Sequence, residues 1–382
     1  MKDANKKNVA IIVPTLNKGG AERVAANLSV EFNKLYNVYL IVHDGRDITY
    51  PYKGQLIDLQ LPPGQGVIAK TKTLLKRVMK VRQIKKTYCI DYTISHLPPS
   101  NYVNIFSRVN DKVFCYVHSM EKWSLGTCIR ENVTSWFSDK LICVSKCVEK
   151  NMNENFYISA NKTITIYNFC EPKQTVKAEK TNAEIMIANM GRLSEPKGQW
   201  HLIRAMKEVV ARHKEARLSI YGDGEYRSML EQLIVLLDMQ DYVKLEGFVS
   251  NPHEKLVRAD IYVSSSLWEG LPMALIEAAG CGLPIISTDC DAGCREVLAP
   301  ETPIDSKTSV VEESAYGILI PEVKEGNYLQ TTLTATEHIM AEAIISLIED
   351  KEKRMKYSHL SKVRAEEFLP REIMKKWVEL IN

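Results

Sequence analysis

Between residues 191 and 198 the chain reads Gly191-Arg192-Leu193-Ser194-Glu195-Pro196-Lys197-Gly198. An arginine and a lysine stand five apart on a loop that opens a helix. The N-terminus of a helix attracts anions through its dipole and its free amides, and two cations add to that field. Gly191, Arg192 and Lys197 together suit a diphosphate. The plainer reading is a strand-to-helix loop with two surface cations. Residues 266–278 read Ser-Leu-Trp-Glu-Gly-Leu-Pro-Met-Ala-Leu-Ile-Glu-Ala. Glu269 and Glu277 stand eight apart across a turn that contains Gly270 and Pro272. Carboxylates accept hydrogen bonds from sugar and ribose hydroxyls. The free amides expected at Met273, Ala274 and Leu275, where the next helix begins, suit phosphate. Two helix-surface glutamates are the alternative, and the apolar residues around them argue against it.

Weaker signals accompany these two. Tyr221-Gly222-Asp223-Gly224 follows a strand; its glycines allow either a close ligand approach or a plain turn. Asp289-Cys290-Asp291 has the spacing of a metal-diphosphate clamp, but Arg192, Lys197 and the helix amides already answer the phosphate charge. His118 follows a strand, where a lone histidine is usually structural rather than catalytic; Tyr116 and Trp123 near it suit a sugar-facing wall or simple core. The nine cysteines include no Cys-x-x-Cys pair, and no histidine lies near enough in sequence to complete a zinc site. They read as buried reduced thiols in a cytosolic protein.

The elements that carry these residues alternate. Strands are expected at Val9–Val13, Val38–Val42, Tyr92–Ser95, Val113–Val117, Leu141–Val144 and Ile164–Tyr167, with helices between most of them. A glycine turn, Gly19-Gly20, opens a helix running from about Ala21 to Leu35. A polar, lysine-rich stretch at 169–183 reads as a linker. A second series follows, with strands at Ile185–Met190, Leu218–Tyr221, Val243–Glu246, Ile261–Ser264 and Pro284–Ser287, and a helical C-terminus interrupted at Pro370. Apolar strands alternating with helices indicate α/β units with parallel sheets. The expected organisation is two such domains facing a cleft, 1–175 and 176–368, with ligands beyond the carboxyl ends of the strands.

At 382 residues, 45% hydrophobic and 25% charged, the chain is neither disordered nor a small disulfide scaffold. No apolar run approaches the roughly 20 residues of a membrane span, and no secretory signal is evident. The net charge of +3 hides an asymmetry. Residues 1–180 hold 27 basic against 15 acidic groups, a net of +12, and residues 181–382 hold 23 against 32, a net of −9. Much of the excess lies in Lys70–Lys86, which has eight basic residues and no acid. Leu74, Leu75, Val78, Val81 and Ile84 recur there at helical spacing. This is either a basic amphipathic helix for an anionic membrane or acceptor, or a solvated face of a helix packed on a sheet. Nothing points to nucleic acid.

Taken in order, these segments resemble the retaining glycosyltransferases of family 4, which have the two-Rossmann-domain GT-B fold. GRLSEPKG is similar to that family's diphosphate loop, WEGLPMALIEA to its Glu-x7-Glu motif, Gly19-Gly20-Ala21-Glu22 to its glycine loop and Val117-His118 to its strand-end histidine. The resemblance implies that Arg192 and Lys197 neutralise the donor diphosphate and that Glu277 binds ribose. It implies that Glu269, with amides near Met273 and Ala274, binds the transferred sugar, and that His118 contacts that sugar from the opposite domain. Gly19, Gly20, Gly191, Gly222, Gly270 and Leu275 would complete the donor site, with Phe248 and Val249 at the base. The C-terminal helix, 369–382, would cross back to the first domain. No cofactor and no metal are implied.

The expected reaction moves a hexose or N-acetylhexosamine from a nucleotide-diphosphate sugar, UDP ahead of GDP, to a glycan acceptor with retention. The basic first half favours a lipid-linked acceptor, as in capsule or lipopolysaccharide assembly. The protein would then be cytoplasmic, with peripheral contact to the inner membrane face through Lys70–Lys86. The alternatives are a nucleotide-sugar epimerase of the same fold and a non-catalytic sugar-nucleotide-binding protein. A dinucleotide dehydrogenase lacks its Gly-x-Gly-x-x-Gly after the first strand.

Overall fold

The computed structural model describes residues 6–17, 19–170, 184–291, 293–324 and 328–382. The chain forms two units, Met1–Asn168 with Ile373–Asn382, and Phe169–Glu372. Most of the segment read as a linker, residues 171–183, lies outside the described residues.

The first unit runs β1 (Asn8–Val13), α1 (Gly20–Leu35), β2 (Asn37–Val42), β3 (Gln55–Asp58), α2 (Val67–Thr87), β4 (Tyr92–His96), α3 (Pro98–Phe106), β5 (Lys112–Val117), α4 (Leu125–Phe137), β6 (Lys140–Cys143), α5 (Lys146–Glu154) and β7 (Thr163–Thr165). The sheet order is β3-β2-β1-β4-β5-β6-β7, and every pairing in it is parallel. β1 and β2 each bury five consecutive residues, as strands covered on both faces require.

The second unit begins with β8 (Ile185–Met190), a 3₁₀ turn at Glu195–Lys197, α6 (Gln199–Arg212), β9 (Ala216–Tyr221), α7 (Arg227–Leu236), β10 (Val243–Gly247), α8 (Pro252–Leu256) and β11 (Ile261–Ser264). It continues with α9 (Met273–Gly280), β12 (Ile285–Thr288), α10 (Cys294–Leu298), β13 (Glu312–Glu313), β14 (Ile318–Ile320), α11 (Ala335–Glu349) and α12 (Lys351–Glu366). Its sheet order is β10-β9-β8-β11-β12-β14-β13, parallel except for the short β13. Arg204 of α6 and Glu337 of α11, both fully buried, pair at 2.5 Å across the helix layer. The sequence reading has no counterpart for β3, β13 and β14. β3 is a half-buried edge strand, and β13 is two glutamates long.

After Pro370 the last helix, α13 (Pro370–Ile381), returns to the first unit from Ile373 on. Its Trp377 is fully buried, 5.4 Å from the Phe32 ring of α1 and 6.0 Å from Tyr116 of β5. Proline at the first helical position fixes φ and forfeits only an amide that would be unpaired there anyway.

Two expectations need correction. In α2 the apolar residues do not share one face. Leu74, Val81 and Ile84 pack on the core with Tyr88, but Leu75 is 57% exposed. The basic residues divide too: Lys85 is buried against Asp111 at 2.7 Å, and Arg77 donates to the Leu61 carbonyl. The cysteines are all free thiols, but only Cys115, Cys143, Cys290 and Cys294 are buried; Cys89 is exposed and the rest are partly so. Among the described residues no helix is long and apolar enough to cross a membrane.

Candidate active site

The two loops richest in chemistry leave neighbouring strands. β8 and β11 pair in parallel, Ile187 opposite Ile261 and Ala188 opposite Tyr262, and the strand order reverses its direction between them. At such a point successive loops diverge and leave space for a ligand at the carboxyl ends. The loop after β8 carries Gly191, Arg192 and Lys197. The loop after β11 carries Glu269 and Gly270 and runs into α9.

The structure joins Lys197 to Glu269 directly. The ammonium lies 2.5 Å from Glu269 Oε1, with side-chain exposures of 25% and 11%. Ser266 donates its hydroxyl proton to the same oxygen over 2.7 Å. Burial opposes the Lys197 charge, but the Glu269 carboxylate and its hydrogen bond outweigh it and hold the ammonium above the ordinary lysine range. The loops are also stitched together through the backbone. The Leu267 amide donates to the Pro196 carbonyl at 2.8 Å, and the Glu269 amide to the Asp291 carbonyl at 3.1 Å. The Ser265 hydroxyl donates to the Lys197 carbonyl at 2.9 Å.

Arg192 is placed differently. Its carbonyl is fixed by Gln199 Nε2 at 3.0 Å, and its side chain, 74% exposed, turns to Glu225 at 3.5 Å. Gly222 supports this loop from β9. With φ at +150°, a Cβ there would fall 1.8 Å from the Gly191 carbonyl oxygen, so only glycine lets the two strand ends pass. The Gly222 amide donates to the Gly247 carbonyl at 2.8 Å, which sets Phe248 and Val249 beside it, Phe248 exposed and Val249 half-buried.

At the start of α9 the amides of Met273 and Ala274 take no backbone acceptor among the described residues, and both residues are half-buried. Leu275 departs from the expectation of a free amide. Its N–H donates to the Pro272 carbonyl at 2.9 Å, and the residue is fully buried. Glu277 is 6% exposed, which excludes the helix-surface alternative. Asp289 and Asp291 are each engaged by a cation: Asp289 with Arg295 at 2.6 Å, Asp291 with Lys307 at 3.0 Å.

In the first unit β1 and β4 flank the equivalent reversal of strand order. Gly19 and Gly20 follow β1. A Cβ on Gly19 would fall 2.0 Å from Glu22 Oε2, whereas one on Gly20 would meet open space. His118 follows β5, half-buried, with its Nε2 3.0 Å from Nδ1 of the buried His96 at the end of β4. His43, directly after β2, is buried as well, its Nε2 3.4 Å from the Ser100 hydroxyl. Tyr116 is core, whereas Trp123 is 62% exposed and so is not core. Sequence reasoning missed His43 and His96. The available signal was their position: Val42-His43, Ser95-His96 and Val117-His118 each set a histidine at the carboxyl end of a strand expected from the sequence.

Comparisons with known proteins give a consistent answer. The family model described as Glycosyltransferase Family 4 matches residues 18–174, and that described as Glycosyl transferases group 1 matches residues 171–316. An uncharacterized glycosyltransferase of Methanocaldococcus jannaschii is 32% identical over 339 residues, which is 81% of this chain and 83% of the relative. The Campylobacter jejuni N-acetylgalactosamine-N,N'-diacetylbacillosaminyl-diphospho-undecaprenol 4-alpha-N-acetylgalactosaminyltransferase is 24% identical, covering 95% of this chain and 96% of that one. Among solved structures, S. aureus TarM, bound to UDP and alpha-GlcNAc-glycerol, superposes with a TM-score of 0.78 at 14% identity, covering 98% of this chain and all of that one.

Proposed function

The chain belongs to the family 4 glycosyltransferases, and on that premise we propose that it transfers a hexose or N-acetylhexosamine from a nucleotide-diphosphate sugar, UDP-linked before GDP-linked, to a lipid-linked glycan with retention at the anomeric carbon. The observation that carries this reading is the Lys197–Glu269 pair, with the amides of Met273 and Ala274, which take no backbone acceptor among the described residues, starting the helix four residues on. As the bond from the anomeric carbon to the phosphate oxygen breaks, negative charge gathers on the departing diphosphate. Lys197, Arg192 and the α9 amides neutralise it, so this chemistry asks for no metal. The acceptor hydroxyl oxygen bonds to the anomeric carbon from the side the diphosphate leaves, and its proton passes to the departing phosphate oxygen. Glu269 accepts from hydroxyls of the sugar, Glu277 from those of the ribose, and His118 contacts the sugar.

Two observations favour a lipid-linked acceptor at an anionic membrane surface. The Campylobacter relative is named for a diphospho-undecaprenol substrate. On α2, the outward positions hold exposed Ile68, Leu75 and Met79 between exposed Lys72, Arg82 and Lys86. On and beside α4, Trp123, Leu125, Ile129 and Trp136 are also more than half exposed.

A panel of UDP- and GDP-sugars, assayed for nucleotide release with and without a polyprenyl-diphosphate-linked saccharide, tests the reaction. Release that depends on the acceptor is the expected result. Acceptor-independent isomerisation of the donor would replace the reading with an epimerase, and silence with every donor would leave only a binding protein.

A further inference from the structure

The rings of His96, Tyr116 and His118 form one packed cluster at the carboxyl ends of β4 and β5. Centroids lie 4.7 Å apart for His96–Tyr116, 4.7 Å for Tyr116–His118 and 5.2 Å for His96–His118. Tyr116 is held in turn, its hydroxyl donating to Asn168 Oδ1 at 3.3 Å and its ring lying against Trp377. Within the cluster, His96 Nδ1 and His118 Nε2 are 3.0 Å apart. Two neutral imidazoles at that distance share a single proton: one nitrogen donates and the other accepts. Both rings stay neutral, because burial disfavours the charged form of each and the facing His118 disfavours it further at His96.

The choice of donor is settled by the far side of His96. That ring is fully buried, and its Nε2 has no hydrogen-bond partner among the described residues. If His118 were the donor, the proton of His96 would have to sit on Nε2, as an N–H in the interior with nothing to accept it. If His96 is the donor, Nε2 carries only a lone pair. Orphaned buried N–H groups are the rarer of the two in folded proteins, and leaving a buried donor unmade costs its full desolvation.

We propose that His96 is a positioning residue that fixes the tautomer of His118: His96 Nδ1–H donates to His118 Nε2, so the proton of His118 sits on Nδ1. His118 then meets its ligand as a hydrogen-bond donor and cannot serve as a proton acceptor through that nitrogen. The fixed tautomer matches a role in holding an acceptor oxygen of the sugar, and it leaves proton removal from the incoming hydroxyl to another group. The link to catalysis rests on the reading of His118 as the sugar contact, whereas the tautomer itself is a property of the ligand-free protein.

Long-range ¹H–¹⁵N spectra of the full chain labelled at histidine test it without substrate. The expected result is a protonated Nδ1 and an unprotonated Nε2 at His118. His96→Asn, whose side-chain amide can supply an N–H where Nδ1 stood, keeps that pattern; His96→Phe, which keeps a ring but no donor, loses it. With a working donor, His96→Phe lowers kcat about tenfold with donor KM unchanged, and His96→Asn restores most of it. An Nε2-protonated His118 in the native protein, or the native pattern persisting in His96→Phe, would overturn the proposal. Should His96→Phe not fold, the native and His96→Asn spectra still decide. Should every donor prove silent, the spectra decide the tautomer while the catalytic reading fails separately.

Discussion

The ammonium of Lys197 sits on Glu269. A cation that is already paired is poised rather than idle: a diphosphate can take over its charge while Glu269 turns to a sugar hydroxyl. Lys197→Met tests this with least disturbance, since the aliphatic stem that lies against Gly191 is retained. We expect kcat/KM to fall on the order of 10²–10³-fold, the usual loss when one stabilising group is removed from a developing anion. In the same cycle Glu269→Gln should cost less in the Lys197→Met background than alone, because residues in contact do not act additively. Steady-state kinetics on the four proteins measures both, and a Lys197→Met enzyme within threefold of native would refute the assignment. The sequence made Lys197 and Glu269 visible separately, through their place on strand-end loops. Their contact spans 72 residues and depends on β8 lying beside β11, which no local spacing reveals.

At the level of elements, the carboxyl ends of β2, β4 and β5 collect three neutral histidines, and this has a consequence for stability. Burial, and then the charge of Arg77, lowers the His43 imidazole from 6.5 to about 3; burial takes His118 to about 3, and His96 is lowered too. In the unfolded chain these groups take up protons near pH 6.5. Between that pH and about 3 the unfolded state therefore holds more protons than the folded one. Stability from this source is complete above about pH 6.5 and is lost as pH falls through the window, by about 1.4 kcal/mol per pH unit for each group. Urea unfolding at pH 7.5 and pH 5.0 should show the loss, and His43→Asn should make it smaller by one group's share. An identical difference in native and His43→Asn protein would count against the histidine origin. The strands that carry these residues were legible, because β2 and β5 are largely apolar runs and β4, though it holds Thr93 and Ser95, falls between helices in the same alternating series. The His96–His118 contact was not, because it depends on β4 and β5 lying side by side, and His43 is set apart from it by β1, which stands between β2 and β4. β3 and β14 were missed for a related reason: one is a polar edge, the other three residues long.

Across the whole molecule the charge is divided, a net of +12 in residues 1–180 and −9 in residues 181–382. The structure refines what the basic excess can do. Lys85 is spent on Asp111, Arg77 on the Leu61 carbonyl and Lys80 on the Leu59 carbonyl, so three of the eight basic residues of Lys70–Lys86 serve the fold. The remaining five are exposed, and the positions between them hold Leu75 and Met79, 57% and 63% exposed, with Ile68 just ahead of Lys70 at 74%. A purely solvated helix face has no use for three large apolar side chains, whereas an interfacial helix uses both kinds: the stems and apolar groups enter the headgroup boundary while the cations meet anionic lipid. Each cation near such a surface contributes about 1 kcal/mol and is weakened by salt, and each buried apolar side chain contributes about 1.5–3 kcal/mol. Replacing both Leu75 and Met79 by glutamate removes the apolar part and adds repulsion, so partition onto vesicles containing anionic lipid should fall by well over tenfold. Turnover with a water-soluble acceptor should stay at the native level, because neither residue belongs to the reaction. Sedimentation with anionic and neutral vesicles at low and high salt reads the outcome. Native protein that ignores lipid charge, or a double variant that still sediments like the native chain, would return α2 to the role of a helix that merely covers its sheet.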